Sequence, residues 1–247
     1  MKSAQPRDLD RRKVARLLSS AKARGGNPIE TISGEFLGRP YKVNPLIGSA
    51  DEPEVFTAAL DGFDCVTYLE TVIALARARS VNDFVDWLRK IRYERGTVRW
   101  DLRNHYMTEW IRNNCRRGLL RPIRSQDPSA ATRTRVLDVV PGLPALRARM
   151  RFVPKPGVPR LARRLESGDL IFFVSTRRNL DVFHAGIIVR DAESRETKGK
   201  LLMRHASRSK GRVVEQELRE FLKANRMAGV MVMRPRILGA ARRSLAA

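Results

Sequence analysis

The chain has 247 residues, and 43% of them are apolar, which is enough for a sizeable core and excludes an intrinsically disordered protein. No apolar run approaches the roughly 18 residues of a membrane-spanning helix. The first 18 residues, MKSAQPRDLDRRKVARLL, lack the apolar segment of a secretory signal peptide.

The formal net charge is +23, and 39 of the 49 Lys and Arg residues are Arg, spread along the whole chain. Such a surface attracts polyanions such as anionic cell-wall polymers or nucleic acid. Few aromatic residues alternate with the arginines, so no specific nucleic-acid binding is expected. A second interpretation is that the arginine excess reflects genome base composition and gives only a solvated surface.

Residues 1–26 are predicted to form a basic N-terminal arm with a short amphipathic helix. Val14, Leu17 and Leu18 form its apolar side, and Gly25 with Gly26 ends it. A second helix is predicted to begin after Asn27, a favourable N-cap followed by Pro28, and to stop before Gly38.

The next predicted helix, over about 64–78, is apolar on most sides, as expected for a helix buried in the core. An amphipathic helix capped by Ser80 follows it and carries Phe84, Leu88 and Ile91 on one face. A third helix is predicted over 103–117, with His105 on it as a structural or substrate-contacting residue. Seven prolines interrupt the stretch from 119 to 159, which predicts loops with one or two strands.

From residue 168 onward, short β-rich runs alternate with charged or glycine-containing turns: LIFFVST, VFHAGIIV, KLLMRHAS, GRVVE and GVMVMRP. One helix is predicted among them, near 216–225. The predicted helices come first in the chain and the antiparallel sheet follows, which is the order expected of an α+β fold.

Cys65 is the candidate nucleophile, because it follows the turn-forming Asp61-Gly62 and begins the core helix. Free backbone N–H groups and the positive end of the helix dipole converge there, and such surroundings are expected to lower the pKa of a thiol. The competing interpretation is that Cys65 is only a packing residue. The sequence has no Cys-x-x-Cys or His-Glu-x-x-His motif, so no metal or cofactor is expected.

Two of the three histidines lie in the predicted sheet. His184 begins one strand and His205 lies near the end of the next, so antiparallel pairing could bring the two rings together. A cysteine hydrolase needs a thiol, a histidine that takes and returns its proton, and a group that orients that histidine. Each histidine alone is more often structural, but a cysteine at a helix start strengthens the functional interpretation.

Four segments together resemble the NlpC-type cysteine peptidase superfamily, most closely its N-acetylmuramoyl-L-alanine amidase-like branch. They are Phe63–Glu70, Gly168–Ile171, His184–Ile187 and His205–Ser207. The resemblance runs from about residue 38 to residue 214 in family order. It implies a circularly permuted papain-like fold, with N-terminal helices packed on a C-terminal antiparallel sheet.

The resemblance also implies roles for individual residues. Cys65 would be the nucleophile, His184 the base and His205 the orienting third member. Tyr41 would lie beside the nucleophile and contribute to substrate positioning or to the oxyanion site, and Asp64 would cap the helix or contact substrate. Residues 27–247 would form a single catalytic domain, with a lid or insertion around 80–160.

The function implied is cleavage of the bond between N-acetylmuramic acid and L-alanine in peptidoglycan or muropeptides, within the cell envelope. A D,L-endopeptidase of the stem peptide could use the same triad. The alternative from a different class is a basic, non-enzymatic protein that binds polyanions.

Overall fold

A computed structural model describes residues 5–123, 130–190 and 200–237 of the protein and confirms the predicted α+β class. The described helices are α1 (Arg11–Arg24), α2 (Pro28–Gly34), α3 (Cys65–Arg77), α4 (Val81–Arg92), α5 (Met107–Arg116), α6 (Val158–Ala162) and α7 (Leu218–Ala224). The described strands are β1 (Leu120–Pro122), β2 (Ala131–Leu137), β3 (Leu146–Pro154), β4 (Leu170–Val174), β5 (Val182–Arg190), β6 (Leu201–Ser207), β7 (Arg212–Glu217) and β8 (Gly229–Pro235). None of these helices is long and apolar enough to cross a membrane.

The strands form one antiparallel sheet in the order β2-β3-β8-β4-β5-β6-β7, with β1 paired to β8. Strand β4 is buried along its whole length because the sheet is covered on both faces. Its alternate side chains Leu170, Phe172 and Val174 belong to the large core cluster that also contains the apolar residues of α3. Ile171 and Phe173 belong to a second cluster, which includes Leu161 of α6 and Phe221 of α7. This period of two is that of a central strand between two layers.

The basic N-terminal segment joins the helical layer. Helix α1 lies against α2, α3 and α4, and Val14 and Leu17 are buried in the large core cluster. The division into a basic arm and one catalytic domain stays a prediction. Four stretches covered by that prediction lie outside the described residues: 1–4 of the arm, 124–129 of the lid segment, and 191–199 and 238–247 of the domain.

Two predicted elements differ from the observed ones. The helix predicted over 103–117 is α5, which begins at Met107 rather than at 103. His105 lies before it, with its Nε2 2.7 Å from the carbonyl oxygen of Trp100. The 119–159 stretch contains three strands instead of one or two, and α6 begins inside it. In β3 the buried residues Ala148, Met150 and Phe152 alternate with exposed arginines, a period-2 pattern that the prolines on either side obscured.

Part of the predicted lid segment belongs to the core. Phe84, Leu88 and Ile91 of α4 are buried in the same cluster as the apolar face of α3. Strands β2 and β3, which we call the β2–β3 ribbon, extend one edge of the sheet. A lid function for the segment stays a prediction.

A buried ion pair ties α3 to α4. Arg92 Nε donates to Glu70 Oε2 at 2.7 Å, and both side chains are at most 3% exposed. Trp110 Nε1 of α5 donates to the other Glu70 oxygen at 3.1 Å, and Arg92 also donates to the Thr57 carbonyl at 2.7 Å. The carboxylate at Glu70 therefore has a structural role, since it joins three helices inside the core.

We predict that Glu70→Gln lowers the free energy of unfolding by about 3 kcal/mol or more, because it leaves the Arg92 charge buried without a carboxylate. Urea unfolding measures the loss. The matched control is Asp101→Asn, which breaks the exposed Arg99–Asp101 pair and should cost less than about 1 kcal/mol. Equal losses in the two variants would contradict a structural role for Glu70.

Candidate active site

The site is built around the first turn of α3. Asp64 accepts hydrogen bonds from the N–H groups of Val66 (3.0 Å) and Thr67 (2.7 Å), and the Thr67 hydroxyl accepts from the Asp64 N–H at 3.0 Å. This reciprocal capping box satisfies the free N–H groups at the helix start and fixes Cys65 as the first helical residue. The capping role expected for Asp64 is present in the structure.

Tyr41 lies next to this helix start because two backbone segments pair there. Residues Tyr41 and Phe63 form a parallel bridge, with Lys42 N–H donating to the Phe63 carbonyl at 2.9 Å. Gly62 permits the approach, since a Cβ at that position would lie 2.9 Å from the Pro40 carbonyl oxygen. Burial raises the pKa of Tyr41, and the nearby Cys65 and Asp64 raise it further.

The pKa of the Cys65 thiol is higher than its position at a helix start predicts. Burial raises its pKa to about 12, and the Asp64 carboxylate adds to the increase. Backbone N–H groups of Ala185, Cys65 and Val66 act in the opposite direction but are outweighed. The expected lowering of the pKa by the helix start is therefore wrong for this resting state. The loss of hydration destabilises the thiolate more than the three N–H groups stabilise it.

His184 and His205 form a close pair. His184 Nε2 lies 2.7 Å from His205 Nδ1, and the ring centroids are 4.8 Å apart in an edge-to-face arrangement. In the β5–β6 register Ile187 pairs with Arg204, so one step further Gly186 lies opposite His205. A Cβ at Gly186 would lie 2.6 Å from Met203 Cγ, so only glycine allows the two strands to approach this closely.

Aromatic rings surround the histidine pair. The Phe221 ring of α7 lies 5.4 Å from His184 and 5.5 Å from His205, and Phe173 stacks on His184 at 6.2 Å. Burial, with the neighbouring His205 ring, lowers the pKa of His184 to about 3, and burial lowers the pKa of His205 to about 4. Both imidazoles are therefore neutral at pH 7, and one nitrogen of each ring carries a proton.

The outer nitrogen of His205 faces Gln216 on β7. His205 pairs with Val214 and Met203 pairs with Gln216, which makes Gln216 a diagonal neighbour of His205. The Gln216 side chain acts to raise the pKa of His205, as a carbonyl oxygen near a ring N–H does. Nevertheless, no group in the described ranges makes a well-aligned hydrogen bond to the buried His205 Nε2.

The five predicted site residues thus lie in two groups. Tyr41, Asp64 and Cys65 surround the helix start, and His184 and His205 form the second group. The groups meet at β5, where the Ala185 N–H interacts with the Cys65 sulfur and His184 is the preceding residue. Cys65 and Cys115 are both free thiols, and no group of three or more metal-ligating side chains occurs in the described part of the chain.

Sequence reasoning did not single out Phe173, Gln216 or Phe221. Phe173 and Phe221 belong to ordinary apolar patterns, so nothing local marks them as cover for a histidine pair. Gln216 lies two residues beyond Val214, the partner of His205, and that relation is visible only once the register of β6 and β7 is known. What the arrangement offers chemically is a neutral thiol at the start of α3, in contact with the Ala185 N–H of β5, and a linked pair of neutral imidazoles that begins at the preceding residue.

Comparison with known proteins relates this architecture to an amidase family. The family model AmiA-like, described as N-acetylmuramoyl-L-alanine amidase-like, matches residues 31–230. No curated protein sequence matches the chain.

Two solved structures have closely similar folds. An N-acetylmuramoyl-L-alanine amidase from Bacteroides uniformis superposes with a TM-score of 0.73 at 25% identity, covering 85% of this chain and 100% of that one. A protein from Legionella pneumophila has a TM-score of 0.75 at 21% identity, covering 91% and 92% of the two chains, and supports the fold alone. Since the family model covers most of the chain, including every predicted site residue, the protein belongs to the AmiA-like family of N-acetylmuramoyl-L-alanine amidase-like proteins.

Proposed function

We propose that the protein is a cysteine-dependent amide hydrolase that cuts the bond between N-acetylmuramic acid and L-alanine in peptidoglycan or muropeptides of the cell envelope. Family membership supports the substrate class. The single observation that carries the mechanism is the partly buried His184–His205 pair, with 2.7 Å between ring nitrogens, adjacent in β5 to the N–H that contacts Cys65. The NlpC-type, permuted papain-like assignment is part of this proposal.

The protonation states support general-base catalysis from a neutral pair. Because burial raises the pKa of Cys65 and lowers the pKa of His184, the resting site holds a thiol and an imidazole rather than a thiolate and an imidazolium. As substrate is attacked, the thiol proton passes to His184 while Sγ bonds to the carbonyl carbon. The backbone N–H of Cys65 and the Tyr41 hydroxyl are the proposed donors to the oxyanion.

The remaining steps return the site to its starting state. The tetrahedral intermediate collapses as His184 gives its proton to the amine of L-alanine, which leaves a thioester on Cys65. Water then attacks the thioester while His184 takes a proton from it, and that proton returns to the sulfur as the acid departs. Each step requires His184 to accept a proton and release it again.

The ring tautomers follow from this mechanism. If His184 Nδ1 is to accept the thiol proton, His184 Nε2 must carry a hydrogen and donate it to His205 Nδ1. His205 Nε2 then carries the second hydrogen and needs an acceptor, and the candidate is the side-chain carbonyl oxygen of Gln216, which acts to raise the pKa of His205. We therefore assign Gln216 as a positioning residue that holds His205 in the productive tautomer.

A muropeptide digest tests the function. The wild type should release free stem peptides and intact sugars, and Cys65→Ala and His184→Ala should each lose at least about a thousandfold in kcat, because members of such a unit are not additive. Products are identified by mass, and Cys115→Ala is the matched control that keeps activity. Shorter stems would indicate the D,L-endopeptidase instead. No turnover by the wild type would favour the non-enzymatic polyanion-binding protein.

The raised thiol pKa gives a second prediction. In a Cys115→Ala background, alkylation of Cys65 at pH 7.5 should be slower than in the denatured protein and should still increase above pH 10. Asp64→Asn should speed labelling severalfold, since asparagine keeps the helix cap but removes the charge that raises the pKa. Fast labelling from pH 6 upward would instead show a resting thiolate–imidazolium pair.

The Gln216 assignment gives a third prediction. Gln216→Leu should lower kcat about tenfold because His205 Nε2–H loses its acceptor, while Gln216→Glu should restore most of the rate.

The histidines are neutral above about pH 4, so wild-type kcat/KM should persist to about that pH. The added carboxylate of Gln216→Glu should raise the histidine pKa values and move the acid limb to higher pH. Wild-type activity and an unchanged pH profile in Gln216→Leu would contradict the role.

A further inference from the structure

A small basic concavity lies between the β2–β3 ribbon and the loop that joins β4 to β5. Its volume is about 450 Å³, and it is lined by Arg133, Thr134, Arg135, Val136, Thr176 and Arg178. The lining residues include three arginines and two threonines, and no Asp or Glu is among them. We call these six residues the basic concavity.

Two of the three arginines are held by their surroundings. Arg135 is 7% exposed, and it donates to the Ser175 carbonyl at 2.6 Å and to the carbonyls of Arg177 and Leu180. The guanidinium of Arg133 lies 5.5 Å from the Phe152 ring centroid, a cation–π distance. Arg178 is exposed on the loop. Arg135 thus anchors the loop to the ribbon. The ring contact of Arg133 does not use its N–H groups, so Arg133 and Arg178, both exposed, can donate hydrogen bonds to a ligand.

The positive charge of the basic concavity is poorly balanced. Across the described ranges, no carboxylate forms an ion pair with Arg133 or Arg178. Asp181, the nearest carboxylate acting on Arg135, is engaged by the N–H (2.7 Å) and the hydroxyl (2.8 Å) of Thr108. An oxyanion would relieve the repulsion between Arg133 and Arg135, which contributes to lowering the pKa of Arg135.

The basic concavity lies at the end of the hairpin that carries His184. In the β4–β5 pairing His184 is opposite Phe173, and Thr176 follows three residues later. At about 3.3 Å per residue, Thr176 is at most roughly 10 Å from the level of His184 along the hairpin, since the register shifts after Phe173 and the chain bends at Thr176. An extended peptide of about three residues spans the same distance.

We propose that the basic concavity binds a carboxylate of the peptide part of the substrate, about three residues from the bond that is cut. This inference rests on the proposed function. Arginine presents paired N–H groups that match the two oxygens of a carboxylate, and two arginines from different segments define its position. The site would select stem peptides with a free carboxylate over amidated ones.

The test measures binding by calorimetry in the Cys65→Ala protein at 0.15 M salt, so that it does not depend on turnover. The probes are a disaccharide-tripeptide muropeptide with free carboxylates and the same molecule with those carboxylates amidated. The double variant Arg133→Gln/Arg178→Gln should weaken binding of the free acid about tenfold or more and leave the amidated probe unaffected. The matched control is Arg12→Gln/Arg16→Gln, which removes the same charge from the exposed side of α1.

Two results would overturn the proposal. Equal weakening of both probes would show that the arginines do not recognise a carboxylate. Equal weakening by the α1 control would show that only net charge attracts the substrate. Inorganic phosphate tests the remaining alternative, which is a site for a free anion. The proposal fails if phosphate binds at millimolar levels through Arg133 and Arg178 while binding of the free-acid probe does not need these arginines. Carboxylate-dependent binding without any muropeptide turnover would keep this site and reject the hydrolase.

Discussion

The first turn of α3 is the constraint on which the candidate site depends. Asp64 and Thr67 close it with a capping box, and the Phe36, Phe63 and Tyr68 rings pack edge-on around it at 4.9–6.4 Å. Behind it, the helix is buried against the sheet and tied to α4 and α5 through Glu70. The position of Cys65 is therefore fixed by its helix, and any residue that interacts with Cys65 must be brought there by another element of the fold.

Burial makes this site electrostatically different from an exposed cysteine site. Phe173 and Phe221 pack on the histidine pair, and burial also raises the pKa of the Cys65 thiol. Burial thus favours the neutral forms of both Cys65 and His184. In the proposed hydrolysis, a low local dielectric would strengthen the interactions of the site with the charges that develop in the transition state.

The sheet register explains how residues far apart in sequence become neighbours. The approach of His184 and His205 requires β5 and β6 to pair with Gly186 opposite His205, and Gln216 enters through the pairing of β6 with β7. The β2–β3 ribbon is brought to the β4–β5 loop by Arg135, which donates to three loop carbonyls. Backbone groups in one loop thus link the edge of the sheet to the strand that carries His184.

Local sequence patterns were sufficient for the main elements and for the candidate residues. Helix caps at Asn27, Asp64 and Ser80, and the β-rich runs after residue 168, depend on interactions within a few residues, so they could be predicted directly. The same holds for Cys65 at a helix start, and for two histidines on successive strands. The β2 and β3 strands were less clear, because alternating arginines and nearby prolines resemble a loop.

What the sequence alone determined was which residues begin and end the elements, and which side chains could carry chemistry. The tertiary structure decided the rest: the neutral state of Cys65 and His184, the placement of Gln216 diagonally opposite His205, and the gathering of Arg133, Arg135 and Arg178 in one concavity. The physical reason is that desolvation and register are properties of contacts between distant segments. A helix start by itself favours a thiolate, and only the packing of other elements around Cys65 reverses that preference.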